Sequence, residues 1–184
     1  DDADPLPKMI VALKGMKKKK EKHAAINPGG RRSQCYESPL HFAACYGRLD
    51  VVEFLLRNDV NKEGTINERL TALHLSCYEG REETTRALIK AGANIEALAK
   101  GRSRAIHFAA MAFNTDGARC VKLLVDAGAD VNARDVFGEG QSALWYAAYG
   151  GSFDIVCTLI EATAEVDLPK YNSPMYVAAE FGFV

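Results

Sequence analysis

A chain of 184 residues with 48% hydrophobic and 26% charged residues can bury a real core, which excludes a disordered or collagen-like polypeptide. No apolar run approaches the roughly 18 residues that a membrane-spanning helix needs, so no direct membrane insertion is expected. The formal charge of −1 hides an uneven spread: residues 1 to 36 carry nine Lys+Arg against four Asp+Glu, leaving −6 for residues 37 to 184.

In chain order, the first predicted element lies within residues 6 to 36, where Met9, Ile10, Leu13 and Met16 form an apolar stripe at helical spacing. The run Lys17-Lys18-Lys19-Lys20 follows it and reads as a solvated helix end, with nuclear import through Lys17–Lys20 as the functional alternative. A helix is then predicted in SPLHFAACYG (38 to 47), and four ungapped relatives of that segment follow: TALHLSCYEG (71 to 80), RAIHFAAMAF (104 to 113), SALWYAAYGG (142 to 151) and SPMYVAAEFG (173 to 182). Their fourth residues, His41, His74, His107, Trp145 and Tyr176, are 33, 33, 38 and 31 positions apart. A near-constant period of this length predicts stacked supersecondary units.

After each of the first four copies comes a second helical pattern: DVVEFLLRN (50 to 58), ETTRALIKAGANI (83 to 95), RCVKLLVDAGADV (119 to 131) and DIVCTLIEATAEV (154 to 166). Each unit is therefore a helix pair. Ser38, Thr71, Ser142 and Ser173 are placed as N-caps, since a hydroxyl accepts from an otherwise unpaired first-turn amide. Pro39 and Pro174 occupy the first helical position, where no amide hydrogen is missed. Gly47, Gly80 and Gly151 are expected to turn the chain between paired helices, and Gly92 and Gly128 to end the second ones.

These motifs resemble ankyrin repeats, whose pattern is T-P-L-H-x-A-A-x-x-G followed by a second helix and G-A-D-V-N. The resemblance covers residues 38 to 184 and implies an all-α solenoid of stacked helix-turn-helix units joined by β-turn or hairpin fingers. Repeats begin near 38, 71, 104, 142 and 173, and residues 1 to 37 form an N-terminal basic segment with a divergent half repeat or cap. The unit starting at 173 stops after its first helix, which predicts that the chain is a piece of a longer protein.

Departures from the pattern mark what is particular to this chain. The G-A pair is missing before Asp59-Val60-Asn61 and two residues follow in compensation, which predicts a longer finger there. Arg104 stands where a capping hydroxyl belongs, leaving Ser103 as a cap one residue early. Asn114-Thr115-Asp116 reads as an insertion between helices, and the finger from Ala133 to Gln141 is lengthened by two. Thr163 replaces a glycine, and the finger from Leu168 to Asn172 is shortened.

No catalytic, cofactor or metal site is expected. His41, His74 and His107 sit a whole repeat apart, so they form a ladder rather than converge on one ion; the resemblance implies that each ring bridges helix and loop by hydrogen bonds. The chain has no C-x-x-C, H-E-x-x-H or G-x-S-x-G pattern, and Gly29 to Ser33 lacks the lysine and the preceding strand of a phosphate loop. Five cysteines without C-x-x-C spacing, four of them inside helical patterns, read as buried free thiols in a reducing compartment. With no N-x-S/T acceptor and no leader after Asp1, an intracellular, cytoplasmic location is expected.

The resemblance implies a non-enzymatic interaction module gripping another protein or peptide on its concave side, with no nucleic acid as partner. The residues just before the first-helix glycine supply one large side chain per repeat, Tyr46, Tyr78, Met111, Tyr149 and Phe181. Aromatic and thioether groups offer much adaptable contact area. Fingers add Asn67, Glu68, Arg69, Lys100, Arg102, Glu139, Lys170 and Tyr171 as a mixed-charge rim. The alternative use of the same rings is structural, covering helix ends and packing on neighbouring repeats. The alternative role for the whole stack is assembly or regulation within a larger protein, such as a TRP-like cation channel or a ubiquitin-ligase substrate adaptor.

Overall fold

The structure is a computed structural model and describes residues 38–112, 116–136, 140–166 and 173–180. Among these residues the helices are α1 Pro39–Cys45, α2 Leu49–Leu56, α3 Ala72–Tyr78, α4 Glu82–Lys90, α5 Ala105–Ala110, α6 Asp116–Asp126, α7 Ala143–Tyr149, α8 Phe153–Glu161 and α9 Pro174–Glu180. The predicted N-terminal stripe at residues 9–16 lies outside the described residues. The described fingers contain no strand, only single antiparallel bridges at Ile66–Leu70 and Arg134–Ser142 and short 3-10 turns at Asn67–Arg69 and Lys100–Arg102.

Two helical layers run along the stack. The short helices α1, α3, α5, α7 and α9 each pack on the next, and α2, α4, α6 and α8 do the same behind them. Within each of the first four units the two helices pack on each other. The fully buried residues sit between the layers: Leu40, Ala43 and Ala44 of α1 face Val51, Val52 and Leu55 of α2, and the pattern recurs to Ala147 of α7 and Ile155 and Leu159 of α8. Small residues on the short helices permit this close approach, while the branched residues of the longer ones fill the space behind them. Repeat two departs from it with Thr84 and Thr85, both buried. Thr85 donates to Ser76 Oγ at 2.9 Å, and Ser76 donates in turn to the Leu73 carbonyl at 3.0 Å, so the hydroxyls of Thr85 and Ser76 are satisfied internally.

Turn chemistry follows the sequence at most positions. Gly47, Gly80 and Gly151 take φ of 66, 64 and 64°, and Gly92 and Gly128 take 74 and 87°. Asp59 (φ 57°) and Thr163 (φ 65°) occupy the same left-handed site that Gly92 and Gly128 fill. That placement corrects the reading of repeat one. The amide after each of these residues returns to the helix, Val60 to Leu55 just as Ala93 returns to Leu88 and Ala129 to Leu124. Asp59 and Val60 therefore replace the glycine-alanine pair rather than follow its loss, and the finger from Asn61 matches the one from Asn94 in length. Ile66 bonds Leu70 as Ala99 bonds Ser103, at 2.9 Å in both. Asp-Val-Asn matches the end of the consensus by letter, whereas backbone geometry puts it two positions earlier.

Three other expectations are corrected. Asp116 does not lie between the helices: this last residue of the insertion is the first helical residue of α6, which it lengthens; its negative charge suits the helix N-terminus, and it pairs with Arg119 at 3.3 Å. Asn114 and Thr115 lie outside the described residues. Ser103 caps nothing, and its buried hydroxyl has no hydrogen-bond partner. Ser38 takes the extended cap backbone without a side-chain bond, with Pro39 at the first helical position. Thr71 and Ser142 do cap, accepting from the amides of His74 at 3.5 Å and Trp145 at 3.2 Å. Of the cysteines, Cys77 and Cys120 are buried free thiols as expected, whereas Cys45 and Cys157 are half-buried.

Adjacent repeats are also joined through their loops. Glu63 accepts from the amide of Asn94 at 3.0 Å, Glu96 from that of Asp130 at 3.0 Å, and Asn132 from that of Glu165 at 2.8 Å. Arg104, standing where the consensus has a hydroxyl, lies 2.8 Å from Glu96 and 3.3 Å from Asp130 and so ties the loops of repeats two and three.

Candidate functional site

The histidines of the ladder are buried and bonded to backbone, with only the Nδ1 of His41 left without a partner. His74 accepts the Thr71 amide at Nδ1 (3.1 Å) and bonds the Ala97 carbonyl through Nε2 (3.1 Å). His107 does the same with the Arg104 amide and the Ala133 carbonyl, both at 3.0 Å. His41 bonds the Leu70 carbonyl at 3.2 Å. Each ring fastens a first helix to the finger that follows, and burial pushes all three pKa values down, that of His74 to about 4. Burial drives the Cys77 thiol far up and that of Cys120 to about 11, so neither is a thiolate at neutral pH. Among the described residues no group of three His, Cys, Asp or Glu side chains is placed to hold a metal ion.

The candidate interaction residues stand at the ends of the first helices. Tyr78 and Tyr149 are the last residues of α3 and α7, and Tyr46 and Met111 cap α1 and α5. Tyr46, Tyr78 and Tyr149 are 50, 42 and 50% exposed, so each ring serves partly as structure and partly as surface. On the structural side, Tyr46 lies over Phe42 with ring centroids 4.5 Å apart, Tyr78 meets the edge of Phe108 at 6.4 Å, and Tyr149 stacks on Trp145 at 5.2 Å.

On the open side, Tyr78, Met111 and Tyr149 border one hollow of about 340 Å³, together with Ala110, Trp145, Tyr146, Gly150 and Ser152. The hollow spans repeats two to four. Tyr46 does not line it, and Phe181 lies outside the described residues. Trp145 and Tyr146 add to the expected set, Trp145 standing in the sequence only at the fourth position of the motif. The available signal was its i,i+4 spacing to Tyr149, which puts both rings on one helix face. Tyr146 is held by its hydroxyl, which donates to the buried carboxylate of Asp135 at 2.5 Å, and Asp135 also accepts the Gln141 amide at 3.0 Å. Burial first, then Asp135, raises the Tyr146 phenol well above its ordinary range, so the ring stays neutral.

Of the finger residues, Lys100 pairs with Glu68 at 2.7 Å across neighbouring fingers. Arg69 and Arg102 stand at equivalent places in successive tips, both exposed and both at positive φ (62 and 61°). Asn67 is exposed in the same tip as Arg69. Glu139, Lys170 and Tyr171 lie outside the described residues. Ala112, next to Met111, is buried. A second hollow of about 320 Å³ lies among α7, α8 and α9, walled by Phe153, Val156, Ile160 and Met175, and it presents apolar groups almost alone.

The family model described as ankyrin repeats (three copies) matches residues 9–99 and 106–184. The chain belongs to the ankyrin-repeat family. The nuclear factor NF-kappa-B p105 subunit of Gallus gallus is 33% identical over 159 residues, covering 83% of this chain and 16% of that protein. The probable E3 ubiquitin-protein ligase XBOS31 of Oryza sativa subsp. japonica is 29% identical, covering 80% of this chain and 31% of that one. The crystal structure of the human ASB11 ankyrin repeat domain superposes with a TM-score of 0.72 at 26% identity, over 80% of this chain and 65% of that chain. The chain thus spans less than a third of either curated relative named. Ankyrin repeats are non-enzymatic protein-interaction modules, and no helix among the described residues is long and apolar enough to cross a membrane.

Proposed function

We propose that this ankyrin stack is an adaptor or scaffold segment that holds a partner protein or peptide on the side formed by the ends of its first helices. The observation that carries the reading is the hollow bordered by Tyr78, Met111 and Tyr149, three side chains chosen by repeat position that prove to share one opening. Half-exposed aromatics over a rigid helical floor lose little conformational freedom when they are covered, which is what an interface anchor requires. The deciding experiment is partner capture by the intact stack against a Tyr78→Ala, Tyr149→Ala double variant. Unchanged affinity in a variant that keeps its far-UV circular dichroism and melting temperature refutes the reading; a loss of tenfold or more supports it.

The wider role is that of a substrate-recognition segment within a larger protein. Similarity to a probable E3 ubiquitin-protein ligase supports a ligase adaptor over a channel. Residues 1 to 37 would then be a basic N-terminal segment with a divergent half repeat or cap ahead of the array at 38–184; the family match, continuous from residue 9 to 99, supports the half repeat rather than a boundary at 37. Free thiols in all four described cysteines agree with a reducing intracellular compartment.

A further inference from the structure

Among the described residues, Arg48, Arg57, Arg81, Arg86, Arg104, Arg119 and Arg134 each have a carboxylate within 4 Å. Arg69 and Arg102 do not. They are exposed, occupy the same place in successive finger tips, and are held there by left-handed backbone that favours glycine rather than a long side chain. Their neighbour Lys100 is neutralised by Glu68, so among the described rim residues the unspent positive charge sits on these two guanidinium groups.

The aromatic hollow lies at the opposite end of the same helix layer. Arg102 lies two residues before Arg104, the N-cap of α5, and Met111 caps its C-terminus. Six helical residues rise about 9 Å, and the finger adds a few ångströms, so the two features stand roughly 10–15 Å apart. An extended chain covers that span in about four residues at 3.3 Å each, and residues i and i+4 of a strand point to the same side.

We infer that the segment recognised by this stack is an extended acidic peptide, with an aromatic or large apolar side chain in the Tyr78–Met111–Trp145–Tyr149 hollow and a carboxylate four residues away on Arg102, extended by a second on Arg69. The inference rests on the adaptor reading above and adds the chemistry of the ligand. Charge complementarity is local: residues 37 to 184 carry a net −6, so the general field does not draw an acidic partner and the two tips must do so themselves. The bidentate geometry of arginine suits carboxylate recognition.

The test uses the whole chain and fluorescein-labelled fourteen-residue peptides in a Ser/Ala background. Each carries one Trp and two Glu, with the Trp-to-Glu spacing stepped from one to seven, beside copies with Lys or Gln for Glu. Tightest binding is expected at a spacing of four, weakening by about two- to fivefold for each carboxylate lost and falling further in 0.5 M salt. The R69E/R102E double variant should prefer the Lys peptides. Arg69→Gly and Arg102→Gly should lose the preference for Glu without loss of stability, because glycine is at ease at those φ values. Trp peptides that bind equally whatever their charge or spacing overturn this inference but leave the adaptor reading standing. A preference for Lys in the unaltered chain overturns it, as does displacement of the bound peptide by an oligouridine ten-mer. Failure of every Trp peptide, alike for the unaltered chain and the Y78A/Y149A variant, removes the hollow as an anchor and both readings with it.

Discussion

Replacing His74 by glutamine isolates one titrating group in the fold. The ring accepts the Thr71 amide at Nδ1 and reaches the Ala97 carbonyl through Nε2, and burial keeps it neutral by lowering its pKa from 6.5 to about 4 against the opposing pull of that carbonyl. In the unfolded chain a histidine binds its proton near pH 6.5. Between those two values the unfolded state therefore holds more protons than the folded one, and stability must fall as the pH falls. The contribution is fully present above pH 6.5 and lost on the way down to about 4. At 1.36 kcal/mol per pH unit the loss is about 2 kcal/mol by pH 5 and about 3 kcal/mol by pH 4. Glutamine offers a carbonyl acceptor and an amide donor but no titration. Urea unfolding followed by far-UV circular dichroism from pH 7.5 to 4 should give the variant a shallower dependence than the parent, while His41 and His107, shifted the same way, retain part of it. Equal slopes in parent and variant, or an imidazole resonance of His74 that titrates near 6.5 in the folded protein, would refute the assignment.

Three further substitutions test the turns and the packing. Thr163→Gly should stabilise by about 0.5–1 kcal/mol, raising the melting temperature, because a β-branched residue at positive φ costs roughly 1–2 kcal/mol and glycine returns only part of that through unfolded-state entropy. Gly117→Ala should destabilise by about 1–2 kcal/mol in urea titrations: its new methyl group would lie 2.9 Å from Ala112 Cβ and 3.1 Å from the Ala109 carbonyl, and overpacking outweighs the better helix propensity. Ser103→Ala should be neutral or stabilising by up to about 1 kcal/mol in the same assay, since the buried hydroxyl it removes has no partner; a loss above 1 kcal/mol would mean that Ser103 carries a hidden bond.

The repeat motif made the architecture legible because the same local problem recurs in every unit. A short helix needs a cap, small residues for close approach and a left-handed turn, and the letters at Thr71, Ala109-Ala110 and Gly80 state those needs directly. Legibility failed where chemistry and letter part company. Asp59 does the work of a glycine, so a consensus read by identity shifted the loop around it. Arg104 contributes through its guanidinium to Glu96 and Asp130, contacts set by the next unit and invisible within its own motif. The hollow was half legible: repeat position gave Tyr78, Met111 and Tyr149, whereas Trp145 and Tyr146 enter through the packing of α7 against its neighbours. Asp135 gave no signal, since its burial depends on the Tyr146 hydroxyl reaching into the finger.

The bonds from Glu63 to Asn94, Glu96 to Asp130 and Asn132 to Glu165 make each loop the socket for the amide of the loop after it. Neighbours joined in this way cannot fray one at a time without leaving an acceptor stranded, which raises the cost of a boundary between folded and melted units. Heat or load should then dissolve these units together rather than peel them from one end. A rearranged array assembled from the same modules would keep that cohesion only where a side chain long or well placed enough to reach forward is retained at each joint.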